Sequence, residues 1–205
     1  MSTHRLPTDT DNGMLLIISG PSGVGKTTIT KGVERAIAGA VYSVSHTTRQ
    51  PTPKEVEGVD YHFVSDDEFE KERAAGMFLE SAGVYGRKYG TPRLWVEEQL
   101  RRGRLVILEI DVQGAIQVKA AMPDAFGIYI LPPSDDELLR RLRDRKREDE
   151  AKIQQRFKAA KQEIAAAKSS GVYDAFIVNA DLDETIHEAV QRVERERARR
   201  AGKPI

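Results

Sequence analysis

Eight consecutive residues, Gly20-Pro21-Ser22-Gly23-Val24-Gly25-Lys26-Thr27, carry the most specific chemistry in this sequence. Glycines at the first and sixth positions followed by Lys-Thr match a phosphate-binding loop, in which backbone N–H groups cradle phosphate oxygens and the lysine reaches the outer phosphates of a nucleotide. The Thr27 hydroxyl then faces a Mg²⁺ ion carried in with those phosphates. Such a loop works only between a strand and a helix N-terminus. The apolar run Met14-Leu15-Leu16-Ile17-Ile18 supplies a buried strand before it, and residues 27–38 read as a helix after it. An ordinary glycine-rich turn would need neither flank.

A phosphate loop names a nucleotide but not what receives the phosphate. Other polar groups are spaced along the chain: Ser45-His46-Thr47-Thr48-Arg49, then Tyr61, then Phe78-Leu79-Glu80, then Tyr89-Gly90-Thr91, then Glu109 and Asp111. Each alone is an ordinary strand-edge or surface residue. Residues 138–147 read LLRRLRDRKR, with five arginines and one lysine in the eight residues from Arg140. By itself that run is a solvated helix face or a nucleic-acid patch.

The elements that must hold these groups follow from periodicity. Further apolar runs at residues 105–108, 128–131 and 176–178, separated by helical segments, predict an α/β fold with a mostly parallel sheet. Capping boxes at Ser65-Asp66-Asp67-Glu68 and Ser134-Asp135-Asp136-Glu137 mark helix starts, and Thr91-Pro92 marks another with proline at the first helical position. Between residues 40 and 91 the pattern breaks into short alternating pieces around Pro51, Pro53 and Gly58, which reads as a small β-rich insertion. The expected organisation is a disordered tail over 1–13, a core over 14–39 and 92–205, and the insertion over 40–91. Ile186, Ala189, Val190 and Val193 at helical spacing predict a packed amphipathic helix near the C-terminus.

Bulk properties narrow the classes. With 205 residues the chain accommodates one α/β domain plus a small insertion. Lys plus Arg and Asp plus Glu number 32 each, so no basic excess draws nucleic acid or an anionic membrane, and phosphate recognition must be local. Cysteine is absent, which excludes a disulfide framework, zinc–thiolate sites and a cysteine nucleophile. No apolar run approaches a membrane span, and the first thirteen residues lack the apolar centre of a signal peptide, so a cytoplasmic enzyme is expected. Nothing selects between a monomer and a homo-oligomer.

The segments SVSHTTR, EGVDYHFV, FLE, YGT and EIDVQG occur in the order and spacing found in guanylate kinases, and the chain resembles that family from Leu15 to about Arg195. The resemblance implies a three-layer P-loop fold with a GMP-binding insertion and a helical lid at residues 140–156. It implies transfer of the γ-phosphoryl group of ATP, bound as MgATP, to GMP and also dGMP, with no nucleic-acid or membrane partner. Glu80 takes the position that reads guanine, whose N1–H and exocyclic amine are adjacent donors to a carboxylate, and Ser45, Thr91 and Asp111 complete the base pocket. Arg49, Tyr61 and Tyr89 take the GMP phosphate. The lid arginines align with Arg141, Arg145 and Arg156, which would neutralise the charge of the transferring group, Arg141 also lying against adenine. Arg140, Arg143, Lys146 and Arg147 are expected to face solvent. Glu109 stands where the family often has aspartate and is expected near Mg²⁺ with Thr27. Asn179 matches a position near adenine, or is a plain strand-ending turn residue.

His46 receives no catalytic role, because the acceptor is already a phosphate anion that needs no deprotonation. Guanylate-kinase-like domains also serve as phosphopeptide-binding scaffolds, but these typically lack a competent phosphate loop. A different acceptor, such as another nucleoside monophosphate, is opposed by Glu80. The chain departs from the family after Arg49: where a second arginine commonly stands, it has Thr52, and Lys54 lies two residues further on. Either Lys54 partly restores the missing charge, or it is a solvated loop residue.

Overall fold

The computed structural model describes residues 13–84, 86–144 and 149–202. The tail assigned to residues 1–13 therefore lies outside the described residues except for Gly13, as do Arg145, Lys146 and Arg147. Among the described residues the first strand is β1 (Met14–Ser19), every residue of which is buried. Leu16 and Ile18 point to one face and Leu15 and Ile17 to the other, so the strand is apolar on both sides and can lie only at the centre of a covered parallel sheet. It pairs in parallel with β7 (Leu105–Glu109) and β8 (Phe126–Leu131), with β2 (Ala40–Tyr42) and β9 (Ala175–Val178) at the edges, giving the order β2-β7-β1-β8-β9.

Two helical layers cover this sheet. On one face Ile29 and Val33 of α1 (Lys26–Ala36) and Ala189 and Val193 of α7 (Leu182–Arg200) bury against Leu16, Ile18, Ile107 and Ile128. On the other, Val96 of α3 (Arg93–Arg101) and Ala115 and Val118 of α4 (Val112–Ala121) bury against Leu15, Ile17, Val106 and Leu108. Each fully buried aliphatic side chain contributes about 1.5–3 kcal/mol. A second sheet, in the order β4-β3-β6-β5, is formed by β3 (His46–Thr47), β4 (His62–Phe63), β5 (Phe78–Val84) and β6 (Arg87–Pro92), with α2 (Asp66–Ala74) packed on it through Phe69 and Phe78. The three layers and the smaller sheet are as expected.

Several local expectations change. Residues 40–42 fall inside the expected insertion, yet β2 pairs with β7 in the large sheet, because Ala40 and Val41 pack into the two core clusters. Helix α1 begins at Lys26, one residue early, because Gly25 at φ +96° turns the chain into it. Thr91 is not a helix cap: it pairs with Glu80 across β5–β6, and Pro92 becomes the N-cap of α3. The Ser65 capping box is complete. At Ser134 only half forms, for Ser134 accepts from the Glu137 N–H while the Glu137 carboxylate is taken by Arg140 and Arg141, stronger partners than a neutral amide. Helices α5 (Asp135–Asp144) and α6 (Glu150–Ser170) flank the segment 140–156 and pack on each other through Leu138, Leu142, Ile153 and Ala160.

Helix α1 meets α7 where α1 carries Gly32. A Cβ there would lie 2.5 Å from Cδ1 and 2.9 Å from Cγ1 of Ile186. Overpacking of this kind costs about 1–3 kcal/mol, against roughly 1 kcal/mol that alanine gains over glycine in a helix. Gly32→Ala is therefore expected to lower the thermal unfolding midpoint, and a raised midpoint would show that the two helices are free to separate.

Candidate active site

Ligands bind parallel sheets beyond the carboxyl ends of the strands, where β1 has neighbours on both sides. At that edge the chain after β1 forms the phosphate loop. Gly23 at φ +92° and Gly25 at φ +96° adopt backbone that side chains disfavour, and α1 then starts with no acid in its first turn, so its positive end is left for an anion. Leu142 of α5 packs against Gly23 so closely that an added Cβ would sit 3.0 Å from its Cδ2. Lys26 folds back onto its own loop, donating to the carbonyl oxygens of Gly20 and Pro21. Thr27 donates from Oγ1 to Oε1 of Glu109 at 2.9 Å, while Oε2 of Glu109 is buried with no partner among the described residues.

Asn179, just after β9, is 4% exposed, and both polar atoms of its amide are hydrogen-bonded. Nδ2 donates to the Val24 carbonyl of the loop (2.7 Å), and Oδ1 accepts from the Thr185 hydroxyl (3.1 Å). Its side chain thus ties the loop to α7, and the open part of the residue is the carbonyl oxygen, which accepts from Nη2 of Arg141 at 3.0 Å. Arg141 is steadied by Glu137 at 2.7 Å. Arg156 donates to the Ser22 hydroxyl, so α6 already touches the loop. Arg140 and Arg143 are exposed and paired with acids, as expected for solvent-facing cations.

Across the end of β7 lies the second constellation. Glu80 is 4% exposed, and its Oε1 accepts from the Thr91 hydroxyl at 2.6 Å. Burial pushes its carboxyl up to about 7, with the charge of Asp111 adding to the rise and the Thr91 bond opposing it. Asp111 caps α4, Oδ1 accepting from the Gly114 N–H at 2.8 Å, and burial raises its pKa as well. Ser45 is buried on the same sheet, beside β3. Arg49 lies over the Tyr61 ring, 5.2 Å from its centroid, with Tyr89 5.8 Å from Tyr61. Burial pushes Tyr61 up to about 12, which keeps its hydroxyl a neutral donor.

The sequence did not single out three carboxyl groups that matter here. Glu55 grips Arg49 through both oxygens, at 2.6 and 3.0 Å, and also takes the Thr52 N–H at 2.7 Å; the guanidinium holds its carboxyl down at about 2. Glu137 holds Arg141. Glu163 of α6 is pushed up to about 7 by burial, close enough to Lys26 and Asp111 to feel both charges. Glu55 and Glu163 have no periodicity that would mark them, since each acts on residues brought near by a turn or by tertiary packing, whereas Glu137 stands four residues before Arg141 on one helix, a spacing that the sequence does carry. His46 pairs with Glu72 at 2.8 Å and packs against Phe78, away from any catalytic task.

Lys26, Thr27, Glu109 and Asp111 thus converge at the β1–β7 edge, while Arg156 of α6 reaches the loop at Ser22 and Arg141 of α5 reaches the Asn179 carbonyl just after β9. Glu80, Tyr89 and Thr91 lie on the smaller sheet, with Arg49 and Tyr61 in the segment between β3 and β4. Arg145 lies outside the described residues.

A family model described as guanylate kinase matches residues 12–196. The guanylate kinase of Anaeromyxobacter dehalogenans is 44% identical over 201 residues, covering 98% of this chain and 86% of that protein. That of Coxiella burnetii is 42% identical over 186 residues, covering 91% and 89%. The crystal structure of guanylate kinase from Anaplasma phagocytophilum superposes with a TM-score of 0.74 at 33% identity, covering 92% of this chain and 88% of that one. A phosphate loop at the sheet edge, a buried carboxylate on a second small sheet and a match along nearly the whole length agree with one another, and the chain belongs to the guanylate kinase family.

Proposed function

We propose that this chain transfers the γ-phosphoryl group of ATP to GMP, and to dGMP, giving ADP and GDP in the cytoplasm, and that the residues grouped above do the work. The observation that carries the reading is an intact phosphate loop facing, across Asp111, a buried carboxylate already oriented by a hydroxyl. Glu80 accepts the two adjacent donors of guanine, and Ser45, Thr91 and Asp111 close the pocket; adenine would leave these groups unpaired, which is a large penalty. Arg49 uses the donors that Glu55 leaves, with Tyr61 and Tyr89, to fix the GMP phosphate. Gly20, Pro21, Ser22, Gly23, Val24 and Gly25 present the loop that wraps the ATP phosphates. Lys26 leaves its loop carbonyls for the β and γ phosphates, and Arg141, Arg145 and Arg156 gather around the transferring group as the lid excludes water. An oxygen of the GMP phosphate bonds to the γ phosphorus as the bond to the ADP oxygen breaks.

The residues at the loop fit Mg²⁺. A hydroxyl and a carboxylate with one unpartnered oxygen suit an ion that keeps most of its waters and takes few protein ligands. Thr27 and Glu109 would hold it, and when bound it would neutralise phosphate charge. Asn179 serves ATP by holding Val24 in place. A phosphopeptide-binding scaffold would have no use for Lys26 and Thr27 at a phosphate loop with Arg156 of α6 bonded to it, which favours the enzyme.

Lys26→Ala tests the assignment directly: transfer is expected to fall more than about a hundredfold while the protein stays folded. Near-normal turnover in a folded variant would remove the loop from the chemistry.

The raised pKa of Glu80 gives a signed pH dependence. Guanine needs the carboxylate, whereas the empty pocket favours the neutral acid, so binding releases a proton below about 7 and none well above it. Guanosine, which has no phosphate to titrate, should bind about tenfold more tightly at pH 8 than at pH 6 in calorimetry. The same measurement on Glu80→Gln should lose that dependence; a flat profile in the unaltered protein would place Glu80 away from the base.

Thr52 leaves the GMP phosphate one guanidinium short. Lys54 is exposed and has no ion pair among the described residues, so it is the cation available to turn inward. Lys54→Ala is expected to raise the KM for GMP roughly tenfold and to leave that for ATP unchanged, as for the loss of one charge-assisted contact. An unaltered GMP KM would leave Arg49, Tyr61 and Tyr89 to hold the phosphate by themselves.

A further inference from the structure

Gly114 is the third residue of α4, in regular helical backbone and with its N–H already taken by Asp111. Its φ is not positive, so no turn or left-handed conformation demands glycine there. Glycine is also, proline apart, the poorest residue for a helix interior. What it provides is space. A Cβ at this position would lie 2.5 Å from Oε2 and 3.0 Å from Cδ of Glu80, and 3.4 Å from Cβ of Ile110. The hydrogen of Gly114 is the wall against which the free side of the Glu80 carboxylate rests, while Thr91 holds the other side through Oε1.

The spacing between that wall and β5 is fixed independently. One residue beyond Glu80, Ser81 donates its N–H to Oε1 of Gln117 at 3.2 Å and accepts from Nε2 of Gln117 at 2.9 Å, a reciprocal pair within one helical turn of Gly114. Leu79, on the other side of Glu80, is buried in the same cluster as Ala115 and Val118. Helix α4 is therefore clamped to β5 on both sides of the contact. A methyl group at 114 cannot be relieved by sliding the helix outward; the Glu80 side chain must rotate out of its place.

We infer that Gly114 is a specificity-positioning residue, which sets the depth of the Glu80 carboxylate in the guanine pocket by leaving it the volume a side chain would fill. The inference rests on Glu80 reading the base. Gly114 touches no substrate; it acts through Glu80, and the Ser81–Gln117 pair makes its effect rigid.

The test is Gly114→Ala in the full chain, with Glu80→Gln assayed alongside. A displaced carboxylate should raise the KM for GMP about tenfold or more and narrow the preference for GMP over AMP, with the KM for ATP unchanged. The thermal unfolding midpoint should hold or rise, because alanine is the better helix former and Glu80 yields. A fallen midpoint with losses for both nucleotides would make Gly114 an ordinary packing glycine and overturn the inference. So would a GMP KM left as it was in a protein where Glu80→Gln damages GMP use. If Glu80→Gln itself leaves GMP use intact, the base-reading assignment fails first, and Gly114 loses its role with it.

Discussion

Parallel pairing of β1 with both β7 and β8 is the constraint from which the site follows. A strand packed on both faces is held in register by the shape of the two clusters it fills, since a one-residue slip would put every side chain of β1 into the packing of the opposite face. With Ile18 opposite Glu109 and Ile128, the chain leaving β1 must turn beside the carboxyl ends of both neighbours. That register puts Thr27 within a hydrogen bond of Glu109, and the β8–β9 pairing brings Asn179 to the loop at Val24. The catalytic edge is thus a consequence of core packing far more than of the loop's own preferences.

The groups assigned to phosphate and base are satisfied internally in this structure. Lys26 is bonded to loop carbonyls, Arg49 to Glu55, Arg141 to Glu137 and Asn179, and Glu80 to Thr91. Binding is therefore an exchange of partners, and its net gain is the difference between two hydrogen-bonded states. The arrangement also explains why these charged side chains are tolerated in a half-buried cleft: each of them has a partner among the described residues. The exception is instructive, for among the described residues Oε2 of Glu109 is buried without a partner beside the Thr27 hydroxyl.

Where the sequence was legible, the signal was local. The phosphate loop, the Ser65 capping box and the alternating faces of β1 are written in residues a few positions apart, and the five family segments located Glu80, Arg49 and Thr91 before their contacts were visible. What stayed hidden acts across the chain. Asn179 meets Val24 over 155 positions, so its side chain could be read as an adenine contact but not as a strut for the loop. The three residues of β2 look the same whether they pair with the core or with the small sheet, and the partly buried Ala40 and Val41, packed against the two core clusters beside β7, decide it. Gly114 is silent in sequence because its meaning is the absence of an atom, which matters only once Glu80 is folded against it.

Charge within the cleft is divided unequally, and the division assigns the ligand a part. Glu80 and Glu163 are both pushed up to about 7 by burial, and Asp111 raises each further. Carboxylates sharing a poorly solvated space cannot all ionise without cations. Glu163 has Lys26 to lower its pKa, but for Glu80 the opposing influence is hydrogen bonding from Thr91 alone, with no cation acting on it. The Glu80 carboxylate is accordingly compensated by hydrogen bonding rather than by a cation, and Thr91 leaves part of the accepting capacity of its two oxygens unused. A ligand edge that brings two adjacent N–H groups and no acceptor completes that balance, whereas one presenting an acceptor would worsen it. On the proposed reading of Glu80, selection of the base would then be electrostatic before it is steric, acting through a charge state that burial makes difficult to hold.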